Sequence, residues 1–466
     1  MKKSIILSTV LAVASSMAVA QTGITQDVIQ KLQSSYTETV ADKAIRRALS
    51  QNSIASLTSS ANGISEIGTD FSDIVPTKGI TNQQSSGRCW LFTGLNVLRA
   101  KAITRWNLPG LELSQNYLFF YDQLEKANLF LQGVVDTRKQ TFDDRMVDWL
   151  FQNPLSDGGT FCGVADLVQK YGVMPKEAFP ETYQSSNTSG FTSVMKTKLR
   201  EMGLELRTLG ENKKTTEKQL QDKKVEMLGT IYRMLTLAYG VPPTEFSWTQ
   251  RDAKGKEVST ETYTPMSFYQ KYWDGEDLYD NYIMVMNDPL REYYKVYQIE
   301  YDRHTYDGHD WVYLNLPVED IKPMAIASIK DSTAMYFSCD VGKFLNRQNG
   351  SLTLSNFDYE SLFGITLGMD KKQRVQTHAS GSSHAMTMIA VDIDKETGKT
   401  KKWMVENSWG ATSGYKGNLV MTDEWFDNYM FRLVINKKYA DKKYLEMLNQ
   451  KPILLPAWDP MFMMEE

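Results

Sequence analysis

Three cysteines in 466 residues are too few, and odd in number, for a chain held together by disulfides. A hydrophobic core must carry the fold, and at least one thiol is expected to stay unpaired. The four histidines show no metal-ligand spacing with carboxylates or thiols at hand, so neither a metal nor another cofactor is expected. No stretch beyond the first residues approaches the ~18 apolar residues of a membrane span. There is no internal repeat and no low-complexity segment. The net charge is −4, or −6 without Lys2 and Lys3, which argues against a nucleic-acid partner for the molecule as a whole. With 42% hydrophobic and 23% charged residues the composition is ordinary for a globular protein, which excludes disordered, collagen-like and heptad-repeat chains. The length suits two or three domains or one enlarged domain.

What is present begins with Met1-Lys2-Lys3, an apolar run over 5–13 and Ala18-Val19-Ala20. This reads as a secretory signal over 1–20 cut before Gln21, and predicts an exported protein, periplasmic or secreted. Residues 21–70 form a lead-in with helical periodicity over 27–49. A tight Gly-containing segment then leads into a helix with Leu91, Leu95, Leu98 and Ala102 on one stripe, where Ser85 or Ser86 is placed as a cap. Further helices are expected over 114–131, after the turn Asp157-Gly158-Gly159-Thr160, and over 192–239, whose Lys-rich stretch reads as a solvated connection. From Pro289 onward the text turns to short strands, at 297–301, 311–316, 334–338, 384–393, 402–406, 417–422 and 431–436, followed by a helix over 441–450. A helical half followed by an antiparallel β half is an α+β layout.

Cys89 falls in the first turn of its helix, where the positive end of the dipole stabilises thiolate. A packed core thiol is the plain alternative. Six residues upstream, the Gln83 amide is placed to join the Cys89 N–H as an oxyanion hole for a tetrahedral acyl intermediate. The base should be a histidine. His384 opens the alternating strand HAMTMIAVDI, and Asn407 lies 23 residues later at the end of the next strand. An asparagine carbonyl there would orient the imidazole without adding charge, and Trp409 would shield that bond from water. His378, in a Gly/Ser-rich loop, is the rival base. His304 and His309 lie in a polar turn and read as surface residues; Cys162 and Cys339 read as core or surface thiols.

The order Gln83, Cys89, His384, Asn407 resembles the papain-type cysteine peptidases, and the wording resembles their bleomycin hydrolase and aminopeptidase C branch. The similar segments are NQQSSGRCWLF, LELSQNYLFFYDQLEKANLFL, the double glycine after Asp157, KYGVMPKEAFPE, SIKD with CDVGK, HAMT, and VENSWG with KGNLVMTDEWF. The resemblance implies a two-lobed papain-like fold. A helical lobe over 71–191 would carry the nucleophile, a helical insertion over 192–290 would serve oligomerisation, and a β-rich lobe over 291–451 would carry His384 and Asn407. The insertion accounts for the 295 residues between Cys89 and His384, where papain itself needs roughly 130–150. It further implies a thiol aminopeptidase acting on peptides through a thioester, assembled as a homo-oligomer, typically a hexameric ring. The tail 452–466 would lie in or near the cleft, with the terminal carboxylate of Glu466 meeting the substrate ammonium. Three departures stand out. Phe462-Met463-Met464-Glu465-Glu466 replaces small residues, which leaves a cysteine endopeptidase or dipeptidase with an open cleft as an alternative. Thr160-Phe161-Cys162 replaces Gln-Trp-Asp, and the signal-like start departs from a family that is mostly cytosolic. A ring-forming scaffold or nucleic-acid-binding protein is the alternative from another class; the complete Gln/Cys/His/Asn set argues against it.

Overall fold

The structure is a computed structural model that describes residues 23–60 and 63–461. Its chain divides into two compact units, with the boundary between residues 57 and 58.

The first unit contains helices α1 (Gln26–Ser35) and α2 (Val40–Leu49). The expected single helical stretch breaks between them because Thr39 starts a new helix. The Asp42 amide donates to Thr39 Oγ1 at 3.1 Å, and the Thr39 amide donates to Asp42 Oδ2 at 2.8 Å. This reciprocal box satisfies amides that a continuing helix would have bonded within itself.

The helical side of the second unit comprises α3 (Cys89–Trp106), α4 (Gln115–Asp136), α5 (Arg145–Gln152), α6 (Phe161–Tyr171), α7 (Thr188–Glu211) and α8 (Glu217–Tyr239). α4 is buried along most of its length, between α3 and α6 on one side and α7 and α8 on the other. Its run Tyr117-Leu118-Phe119-Phe120 supplies apolar surface around the helix, the pattern of a central rather than a surface helix.

The strands are β1 (Phe246–Arg251), β2 (Glu257–Tyr263), β3 (Tyr282–Met286), β4 (Lys295–Ile299), β5 (Val312–Asn315), β6 (Met335–Cys339), β7 (His384–Ile393), β8 (Thr400–Glu406), β9 (Asn418–Thr422), β10 (Met430–Asn436) and β11 (Ile453–Leu455). β1 and β2 pair only with each other, so the segment 192–290 carries a hairpin besides its helices. The remaining strands join one sheet in the order β11-β4-β5-β3-β10-β6-β7-β8-β9. Most pairs are antiparallel; β3 with β5 and β11 with β4 are parallel. β3 and β11 went unseen in the sequence, as did the helix α9 (Val318–Lys330) packed on this sheet. The core has two parts, one among the helices and one between the sheet and α9. α3 lies against β7, which brings the Cys89 end of the helix to the His384 end of the strand.

Candidate active site

Cys89 is fully buried at the start of α3 and forms no disulfide. The position before it, Arg88, is the N-cap and makes no side-chain cap bond. The expected cap at Ser85 or Ser86 is therefore corrected. Ser86 Oγ instead donates to Gln83 O at 2.6 Å and accepts from Arg88 Nε at 3.0 Å, which folds the loop back on itself. Cys89 Sγ lies 3.5 Å from the amide nitrogen of Ala385, the residue after His384.

His384 is buried, and its Nε2 lies 2.9 Å from Asn407 Oδ1. An amide oxygen only accepts, so Nε2 carries the hydrogen and Nδ1 remains for proton exchange. Asn407 Oδ1 also accepts the Ser408 N–H at 2.8 Å, and these two donors fix which way the amide faces. The Trp409 ring covers the imidazole, with centroids 4.8 Å apart.

Gln83 is tied to the same loop. Its N–H donates to Ser408 O at 2.8 Å, and its Oε1 accepts from Ser408 Oγ at 2.6 Å. Nε2 donates one hydrogen to Ser86 O at 2.7 Å, and the amide has a second. Ser408, which joins Gln83 to Asn407, was missed in the sequence; its place between Asn407 and Trp409 was the available signal. Beside this loop an open cavity of about 500 Å³ is lined by Ser85, Ser86, Gly87, Asp157, Thr188 and Thr192. Asp157 Oδ2 accepts the Gly87 N–H at 2.9 Å and also bonds the Thr188 hydroxyl.

The other histidines separate clearly. His378 is exposed, at φ 58°, away from the Cys89 arrangement in any printed bond. His309 is exposed and bonds Asp166 Oδ1 at 2.8 Å. His304, read as a surface residue, is fully buried against Asp122 at 2.5 Å, a partner far away in sequence. Cys162 is buried beside Thr160 Oγ1, and burial pushes its thiol well above the usual range, so it stays protonated. Cys339 is buried in β6, opposite His384 in the sheet register.

The C-terminal segment is anchored as far as Met461. Arg432 donates to Met461 O at 2.7 Å, Asp459 pairs with Arg291, and Arg145 stacks over Trp458 at 4.1 Å. Arg432 opposes Ser338 in β6, and Ser338 opposes Ala385 in β7. Met461 is thus held two strands from the His384 end of β7. Glu466 lies outside the described residues.

A buried thiol at a helix N-terminus, an imidazole with one nitrogen fixed by an asparagine, and a tethered glutamine are the parts of a thiol acyl-transfer site. The profile of the Peptidase C1-like family matches residues 23–462. The chain belongs to that family. Bleomycin hydrolase of Homo sapiens is 39% identical over 399 residues, covering 84% of this chain and 88% of that protein. Aminopeptidase C of Lactobacillus delbrueckii subsp. lactis is 36% identical over 445 residues, covering 94% and 98%. The crystal structure of PepW from Lactobacillus rhamnosis HN001 superposes with a TM-score of 0.90 at 33% identity, covering 95% of this chain and 99% of that one. The fold is accordingly that of a papain-like cysteine peptidase, with helices and sheet both present.

The expectation of an exported protein is corrected by these relatives. They include aminopeptidases C, G and E of Lactobacillus and aminopeptidase C of Listeria monocytogenes, members of the largely cytosolic group noted above. The signal-like residues 1–20 lie outside the described residues, and the periplasmic or secreted placement is withdrawn. Among the described residues no helix is long and apolar enough to cross a membrane.

Proposed function

We propose that this papain-like cysteine aminopeptidase removes N-terminal residues from peptides with Cys89 as nucleophile, His384 as acid and base, and Asn407 as orienting group. The carrying observation is the His384 Nε2 to Asn407 Oδ1 bond, with Cys89 Sγ reaching the residue beside His384. The Cys89 sulfur forms a bond to the first peptide carbonyl carbon while the carbonyl oxygen takes the electron pair. Gln83 Nε2–H and the Cys89 N–H hold that oxyanion. His384 Nδ1–H gives its proton to the leaving amine as the C–N bond breaks, leaving a thioester. His384 then takes a proton from water, whose oxygen attacks the thioester and releases the acid and the thiol.

The selection of free N-termini is assigned to the chain beyond Met461, with the Glu466 carboxylate pairing with the substrate ammonium. Its support is the anchoring of Met461 two strands from His384, roughly 10 Å at the usual strand spacing. Five further residues span at most ~18 Å, enough to reach the thiol. We further assign the working form to a homo-oligomer, a hexamer as the family resemblance implies, with contacts through the 192–290 insertion between the lobes 71–191 and 291–451.

Cys89→Ala is expected to lower hydrolysis of unblocked aminoacyl-arylamides by at least ~10³-fold with an unchanged circular dichroism spectrum. Retained turnover removes Cys89 as nucleophile. Preference for N-acylated over free-amine substrates removes the terminal anchor and leaves an endopeptidase.

A further inference from the structure

A second buried polar cluster takes no part in the Cys89, His384 and Asn407 arrangement, yet its bonds converge on one turn at the cleft. Asp122 and Lys126 stand one turn apart on α4, and His304 comes from the loop between β4 and β5; all three are buried. His304 Nδ1–H donates to Asp122 Oδ1 at 2.5 Å, and Lys126 Nζ lies 3.0 Å from Asp122 Oδ2. Toward the turn, His304 Nε2 accepts the Thr160 N–H at 3.4 Å. Lys126 Nζ donates to Ser156 O at 3.0 Å and Gly158 O at 2.6 Å. The Trp90 indole N–H takes the carbonyl between them, Asp157 O, at 2.9 Å. The imidazole sits flush against two glycines: a Cβ on Gly159 would lie 2.2 Å from it and one on Gly163 2.4 Å.

The opposite side of this turn is the Asp157 carboxylate, which binds the Gly87 N–H and walls the cavity beside Cys89. Apolar side chains could fill the space under the turn at lower desolvation cost. They could not hold three successive carbonyls and an N–H of a glycine-rich segment in fixed directions. We infer that Asp122, Lys126 and His304 form a positioning cluster that sets the Asp157 wall of the substrate cavity, and through it the strength of substrate binding. This rests on the proposed reading of the Cys89 site. Burial lowers the imidazole's proton affinity, which keeps Nε2 available as an acceptor.

The test uses the full chain. His304→Phe keeps a ring between the glycines but makes neither bond, whereas His304→Gln restores an acceptor near Nε2. The expected result is a KM for an aminoacyl-arylamide raised about tenfold in His304→Phe, with kcat changed less than about threefold, and largely recovered in His304→Gln. Lys126→Met, which removes both carbonyl bonds, should give the same split and decides the matter if His304→Phe does not fold. Alkylation of Cys89 by iodoacetamide should keep its wild-type rate, so a failure of the nucleophile itself would show separately. Hydrogen exchange at the Thr160 amide reads the wall without turnover, and should be faster in His304→Phe and restored in His304→Gln. A folded His304→Phe with wild-type KM or wild-type Thr160 exchange overturns the inference. So does an equal rise in KM in Leu352→Ala, a core variant of the sheet side.

Discussion

One oxygen atom, Oδ1 of Asn407, accepts from both His384 Nε2 and the Ser408 amide, so it sets the imidazole tautomer and closes the loop at once. Asn407→Ala should therefore separate two effects. It should lower kcat about 10- to 100-fold by releasing the imidazole, with KM little changed. It should also cost about 1–3 kcal/mol in urea unfolding, because the Ser408 N–H loses its buried acceptor. Equal losses in kcat and stability from Trp409→Phe would instead point to packing as the origin. His304 gives a prediction in pH. Its folded proton affinity lies below the ordinary 6.5, the first cause being burial, so the unfolded chain binds its proton more readily. Its contribution to stability is complete above pH 6.5 and is lost as pH falls from 6.5 toward the folded value. Asp122, held below its ordinary 3.8 against burial by Lys126 and His304, loses its contribution only at more acidic pH. Urea midpoints of the wild type should decline below pH 6.5, and His304→Phe should decline less over that range. Parallel profiles would show that His304 does not titrate on unfolding.

At the scale of elements, a buried ion pair joins the two that matter most. Arg99 on α3 and Glu406 at the end of β8 meet at 2.6 Å, and both side chains are almost fully buried. Burial raises the Glu406 carboxyl above its ordinary range while Arg99 opposes the shift. The pair ties the helix that starts at Cys89 to the strand that ends beside Asn407. Arg99→Leu should destabilise the protein by about 3–5 kcal/mol by leaving a buried carboxyl unpaired, and Arg99→Leu/Glu406→Leu should recover part of that loss. A double variant no more stable than the single one would rule out the pair as the cause. These two elements were legible in the sequence because their signals are local: leucines at helical spacing after Cys89, and period-two alternation after His384. What stayed hidden depends on distant partners. The β1–β2 hairpin has a largely exposed second strand, Glu257–Tyr263, with little apolar alternation to mark it. β3 is buried at every position, so no alternation exists there either. His304 sits in polar text and becomes a core residue only because α4 brings Asp122 and Lys126 beneath it. Ser85 and Ser86 have the composition of caps but are taken by bonds within the loop.

For the whole molecule, the groups assigned to bond cleavage all come from one chain, so assembly and chemistry should be separable. Large apolar side chains stand exposed on α8, where Val225 is 64% and Leu237 72% accessible. A second group, Phe363, Ile365, Leu367 and Met369, is exposed at alternate positions of one loop. Apolar surface of this kind marks contact with other chains, which supports placing the proposed oligomer contacts on the insertion. Val225→Asp/Leu237→Asp should lower the assembly mass measured by native mass spectrometry or sedimentation. Because neither side chain is packed in the single chain, stability should move by no more than about 0.5 kcal/mol. Turnover of a short aminoacyl-arylamide should remain within about threefold of wild type, since Cys89, His384, Asn407 and Gln83 are untouched. An unchanged mass removes the insertion as the contact surface, and Ile365→Asp/Leu367→Asp then tests the loop in the same assay. A dissociated variant without arylamide activity would show instead that a neighbouring chain completes the site.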